Sequence, residues 1–305
     1  GASITSGIGN TAVGYGALYG ENDGDYNTVV GYAALNSQTG TSGEVANTAL
    51  GYKAGKSVLT GVYNTYLGHQ SGMNASGSAA DINTGVGYRS LEALTSGSRN
   101  TALGGYSALQ FQNASDIVAL GHYTLANAMA STDIDGCVAV GSYSQAENKT
   151  GIGNVSVGFR ALQADQNSDR NTAIGHLALR NQNGVSGAVG NTALGYGAGD
   201  VVTTGVQNVL LGSTTDPHAA GGSNQVVIGY NATGQGDDTV VLGNTSVTDI
   251  YMSEDAGATV RAGSLITSGN ISGSSTSTGS FGSLVVDSHM TIAKQPAFQV
   301  GISSD

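Results

Sequence analysis

The chain repeats one short pattern fourteen times: a β-branched residue, a mostly small residue, a branched aliphatic residue and a glycine. The clearest copies read Asn-Thr-Ala-Leu-Gly-Tyr. The aliphatic positions are Val13, Val30, Leu50, Leu67, Val86, Leu103, Leu120, Val140, Val157, Ile174, Leu194, Leu211, Ile228 and Leu242, and two residues earlier stands Thr or Val. Residues two apart on a strand share a face. Each copy therefore predicts a short strand with one apolar face and one small-residue face, as at Ala12, Ala49, Ala102, Ala119, Ala139, Ala173 and Ala193. The aliphatic face is expected to fill the chain's own interior and the alanine side to approach a neighbouring chain. The glycine permits a turn that a side chain would resist. A second short segment follows, with pairs such as Ala17-Leu18, Ala34-Leu35, Ala108-Leu109, Ala161-Leu162 and Ala178-Leu179, and a polar Gly/Ser/Asn/Asp stretch closes the unit.

Successive repeat glycines are mostly 17 residues apart, with departures to 14, 19 and 20. These departures belong in the polar stretch, because an odd insertion inside a strand would turn every later side chain to the wrong face. A helical reading fails: 49 of 305 residues are glycine, and no apolar spacing of three and four is sustained. The pattern predicts an all-β parallel β-roll or solenoid of about fourteen short turns. Stacked at ~4.8 Å per turn, it would form a rod roughly 60–70 Å long. Such turns enclose little core, so association along the length is expected. Residues 1–244 carry the roll, 245–285 read as a Gly/Ser/Thr-rich fibrous shaft or linker, and 286–305 as the start of a further domain.

Composition narrows the function. The net charge is −11 with only ten Lys and Arg, which gives no basic stripe for nucleic acid. The single cysteine, Cys137, precedes a strand and reads as a packed thiol, so disulfides do not hold the fold. No apolar run is long enough for membrane insertion, and no signal peptide is recognisable. The chain opens inside repeat-like sequence, Gly1-Ala2-Ser3-Ile4, and reads as a fragment of a longer polypeptide or as a maturely trimmed one.

The residue after the repeat glycine is aromatic or His in ten copies: Tyr15, Tyr32, Tyr52, His69, Tyr88, His122, Phe159, His176, Tyr196 and Tyr230. Successive turns would stack these into a ladder. The ladder is the candidate binding stripe, for a glycan for example, although the chain has no Trp. Asn recurs at the strand start, from Asn10 and Asn27 to Asn191 and Asn208, and suggests an amide ladder or an Asx-turn. His69, His122 and His176 lack metal-ligand spacing, and the acidic turns Asp23-Gly24-Asp25, Asp133-Ile134-Asp135 and Asp237-Asp238 match no calcium-loop pattern. No nucleophile elbow, zinc motif or phosphate loop occurs, so a non-enzyme without cofactor is expected.

Val138-Ala139-Val140-Gly141, Val118-Ala119-Leu120-Gly121 and the Thr-Ala-Leu-Gly copies resemble the head repeat of trimeric autotransporter adhesins (YadA-type) and the related repeats of bacteriophage tail fibres. The 17-residue period and the Asn-Thr opening depart from the adhesin head. The resemblance covers about residues 8–244 and implies a left-handed parallel β-roll with three identical chains in an intertwined homotrimeric rod. Leu265 to Ser274 and Ser277 to Leu284 look like the low-complexity shaft of phage fibres, and Lys294 to Val300 like the first strand of a tip domain. The expected function is a structural phage fibre at the virion surface, a tail-fibre or collar shaft. It would contact other virion proteins and carry a tip that meets a host glycan or protein. A bacterial surface adhesin head is the alternative, and a polysaccharide-degrading tailspike the third reading.

Overall fold

The computed structural model describes residues 3–39, 43–76, 80–127, 134–183 and 186–251. Residues up to Thr248 belong to one compact unit. The fibrous segment expected over 245–285 and the domain start expected over 286–305 lie outside the described residues from residue 252 onward.

This unit is a parallel β-solenoid. Its fourteen repeat strands are Thr11–Val13, Thr28–Val30, Thr48–Leu50, Thr65–Leu67, Thr84–Val86, Thr101–Leu103, Val118–Leu120, Val138–Val140, Val155–Val157, Thr172–Ile174, Thr192–Leu194, Val209–Leu211, Val226–Ile228 and Val240–Leu242. They form one sheet in chain order, so thirteen coils connect them. Register is kept across long coils as well as short ones: Thr28 pairs with Thr48 and Val118 with Val138, as Thr11 pairs with Thr28. Two short parallel pairs on another side, Gly24–Asp25 with Gly43–Glu44 and Ser168–Asp169 with Gly187–Ala188, add to the wall. No helix among the described residues is long and apolar enough to cross a membrane.

The strand faces are the reverse of the sequence expectation. The middle residue points inward: Ala49, Ala102, Ala119, Ala139, Ala173 and Ala193 are buried, whereas Val13, Leu50, Leu103 and Leu194 are exposed. The reason is volume. A coil of about 17 residues must turn back within a few residues, and the space left behind the strand accepts a methyl group more readily than a row of leucines. The second segment supplies the larger groups, with Leu18, Leu35, Leu91, Leu125, Leu162 and Leu179 fully buried. The pair expected at Ala108-Leu109 is offset by one: Ser107 and Ala108 fill the inward positions and Leu109 is half-buried.

Size is balanced across each coil. Tyr66, buried where half of the strands carry alanine, faces Gly55 and Gly72, whose missing Cβ atoms would lie 3.0 Å from Tyr66 Cδ2 and 2.7 Å from Tyr66 Cγ. Leu210 likewise sits against Gly199, where a Cβ would lie 2.8 Å away. Three corners per coil use left-handed backbone even without glycine, as at Arg89 (φ 55°), Leu91 (φ 50°) and Arg99 (φ 60°). Such positions cost free energy individually and persist because the stacked coils over-determine them.

Asparagine holds the coils in register. The Asn47 Oδ1 accepts the Asn64 backbone N–H at 2.7 Å, and its Nδ2 donates to the Gly61 carbonyl at 2.7 Å. The same bonds recur at Asn83, Asn100, Asn154, Asn191 and Asn208. Cys137 occupies this column as a free, buried thiol whose Sγ donates to the Gly151 carbonyl at 3.3 Å. Burial pushes its pKa up to about 12, which leaves it a packed, unreactive group.

A polar layer interrupts the core. One apolar cluster runs from Ala17 to Ala139 and another from Ala161 to Ala232. Between them Ser144 and Ser156 share a 2.5 Å hydrogen bond, and Gln145 Nε2 donates to Ser156 Oγ at 2.8 Å. Next to this layer lies buried Asp165, whose carboxylate accepts from the Ser168 backbone N–H and hydroxyl and from Asn171 Nδ2. Burial outweighs these bonds and pushes the carboxyl up from 3.8 to about 6. The native state thus keeps a proton that the unfolded chain releases near pH 3.8. Stability from this site is present below pH 4 and falls as pH rises through about 6. The equivalent position carries an amide in other coils, Gln38 and Gln182. Asp165→Asn is expected to gain stability over the parent chain as pH rises from 4 to 7, by roughly 2–3 kcal/mol in all. Urea midpoints across that range check it, and a difference that stays flat with pH would contradict the assignment. Asp216, half-buried and beside Asp200, is also pushed up to about 6 and titrates in the same window in both proteins.

Candidate functional site

The glycine after each strand turns the chain so that the next residue projects from the side of the rod. Because the strands are in register, these residues fall into one column. Tyr15, Tyr32, Tyr52 and His69 stack in sequence, with ring centroids 5.4, 5.5 and 4.8 Å apart. Tyr88 continues at 5.3 Å, tilted. Phe159, His176 and Tyr196 stack again at 5.2 and 5.1 Å. Offset stacking of this kind adds stability beyond the area buried.

The middle of the ladder differs from the sequence reading. After Tyr88 the stack moves one residue along the coil, to Tyr106, Tyr123 and Tyr143, at 4.6 and 5.6 Å. The signal was Gly105: with glycine in the ring position, the following tyrosine takes over the stack. His122 stays in the original column and meets Tyr106, Tyr123 and Tyr143 edge-on, at 6.1, 4.6 and 5.8 Å. The shift is bounded by arginines in the column that the tyrosines enter. The Arg89 guanidinium lies 5.7 Å from the Tyr106 ring, and that of Arg160 lies 5.7 Å from Tyr143 and 5.0 Å from Phe159. Cation–π attraction thus closes both ends of the displaced segment. Arg89 also pairs with Glu92. Tyr230 occupies the ring position but makes no ring contact with the ladder among the described residues.

The histidines are spent on stacking, and the acidic turns on holding coils together. Asp23 accepts from the Thr5 and Ser6 hydroxyls at 3.0 and 2.6 Å, Asp25 from the Ile8 N–H, Asp135 from the Ser115 N–H, and Asp237 from the Ser223 N–H. Those hydroxyls hold the Asp23 carboxyl below its usual range. Among the described residues no group of three His, Cys, Asp or Glu is placed to hold a metal ion.

Beside the ladder runs the outward strand face. It presents one aliphatic row, from Val13 to Leu242, and one row of Thr and Val, from Thr11 to Val240, along all fourteen strands. The candidate site is therefore a surface: two apolar-to-hydroxyl rows and an aromatic edge. Comparison with protein-family models, with curated proteins and with solved structures finds no match.

Proposed function

We propose that the chain is a structural fibre segment. Three copies associate through the outward strand face to form the shaft of a phage tail fibre or collar, which carries a recognition element toward the host surface. The observation that carries this reading is that face. Val13, Leu50, Leu67, Leu103, Val157, Ile174, Leu194, Ile228 and Leu242 are exposed to water in an aliphatic row along the fourteen strands, with Val30, Val86, Leu120, Val140 and Leu211 half-buried between them. A row of this length exceeds the scattered apolar surface of a monomeric protein and marks an interaction site. Its regular repeat makes a second copy, with the same rows at the same spacing, the best-matched partner. Thin coils gain the missing burial by this association. The sequence resemblance to tail-fibre and adhesin repeats supports the number three.

Multi-angle light scattering of the purified chain tests the assembly. A mass three times the 30.3 kDa of one chain is expected, and Leu103→Lys with Leu120→Lys should reduce it to one chain. A monomeric parent protein would sink the trimer. Gold-labelled antibody against the chain should decorate fibres of phage particles; decoration of a bacterial outer surface would instead favour the adhesin reading.

A further inference from the structure

The ladder can recognise a ring only where it is broken. A sugar or base stacks on the face of an aromatic ring, and in a continuous stack those faces are covered by the neighbouring rings. Exposure follows this rule. Tyr32, Tyr52 and Tyr88, each with a ring on both sides, are 50%, 40% and 43% exposed. Tyr15 and Tyr196, each with a ring on one side only, are 79% and 56% exposed, and Tyr230, with none, is 72%.

Between Tyr196 and Tyr230 the ring position is held by Ser213, in an unbroken backbone column. Leu194 pairs with Leu211 and Leu211 with Ile228, the Thr214 N–H donates to the Tyr196 carbonyl, and the Asn231 N–H donates to the Ser213 carbonyl. The two tyrosines therefore stand two strand spacings apart, about 9.6 Å, with one hydroxymethyl group between them. A planar ring in contact with both faces fills only ~7 Å of that gap at ~3.5 Å per contact. A puckered saturated ring is thicker and takes up the remainder. Next to the two ring positions stand Thr214, whose hydroxyl donates to the Ser213 carbonyl and keeps its oxygen lone pairs, and exposed Asn231, with a side-chain amide.

We propose that this break is a saccharide subsite, in which one pyranose inserts between Tyr196 and Tyr230 with its C–H faces on the two rings and its hydroxyls toward Ser213, Thr214 and Asn231. The proposal deepens the recognition part of the fibre reading. It requires only the rod itself, so its failure and that of the trimer are distinguishable.

Saturation-transfer NMR on the full chain, with methyl pyranosides of glucose, galactose, mannose and N-acetylglucosamine as probes, tests it. Transfer to the C–H protons of at least one pyranoside is expected. Ser213→Tyr fills the break with the ring that the ladder lacks and should weaken binding at least ten-fold without lowering the Tm. Tyr230→Ala should weaken it similarly, while Tyr32→Ala, away from the break, should leave it unchanged. Absence of transfer from every pyranoside, or transfer unaffected by Ser213→Tyr, overturns the proposal. Ser213→Tyr dissociating the assembly while sugar binding persists would also overturn it and assign the break to a neighbouring chain.

Discussion

Gly175→Ala is expected to cost at least about 4 kcal/mol and to lower the Tm by about 10 °C or more. Two effects combine at this position. Its φ is +140°, a region that residues with a side chain rarely occupy. An added Cβ would overlap the Gly195 carbonyl, lying 2.6 Å from its carbon. Neither atom can yield, because both belong to backbone fixed by the strand ladder: the Gly175 N–H donates to the Val157 carbonyl, and the Gly195 N–H to the Ile174 carbonyl. The stack would have to part by more than the hydrogen bonds on either side tolerate. In a solenoid each coil is supported mainly by its neighbours, so the damage should centre on the coils that flank Gly175. Thermal melts by circular dichroism, with hydrogen exchange to locate the loss, measure it. Gly136→Ala is the contrast: φ is +69°, nothing lies within 4 Å of the added methyl, and the cost should stay near 1 kcal/mol. Equal costs at the two sites would contradict the steric account.

The second large effect is expected at Asn191. Its Oδ1 accepts from the backbone N–H and side-chain Nδ2 of Asn208, and its Nδ2 donates to the Gly205 carbonyl and to Gln182 Oε1. All four partners are buried. Asn191→Ala leaves them without this partner, and unsatisfied buried polar atoms cost about 1–3 kcal/mol each. A net loss of about 3 kcal/mol is expected, less than the sum because Asn208 Nδ2 keeps its bond to the Gly222 carbonyl. Exposed Asn74→Ala should cost under about 0.5 kcal/mol. Urea denaturation of the two variants decides this, and a cost below 1 kcal/mol at Asn191 would demote the amide column to a passive feature.

Both results depend on features that were legible in the chain. The glycine column, the asparagine column, the strand positions and the placement of extra residues outside the strands could all be read from spacing alone. Local periodicity carries that information, because a three-residue strand and a glycine turn are decided by neighbours within the same coil. Most of the aromatic ladder was legible for the same reason. Its detour through Tyr106, Tyr123 and Tyr143 was missed because the reading followed one column. The ring that stacks is chosen by what stands in the coils above and below, here Gly105 and the arginines at 89 and 160. Tyr230 was placed in the ladder because it follows a repeat glycine; Ser213 in the coil before it leaves it standing apart.

The sequence by itself determined the repeat, the parallel strand stack, the register and the columns of Gly, Asn and aromatic residues. The tertiary structure decided which face of each strand is inside. Alternation says only that Thr and Leu share one face and Ala takes the other. The interior volume of a coil this short, already occupied by Leu18, Leu91 or Leu162 from the opposite segment, favours alanine there, and admits a larger residue such as Tyr66 or Leu210 only where a facing glycine makes room. That choice turns the aliphatic row outward, and with it the surface on which assembly would be built.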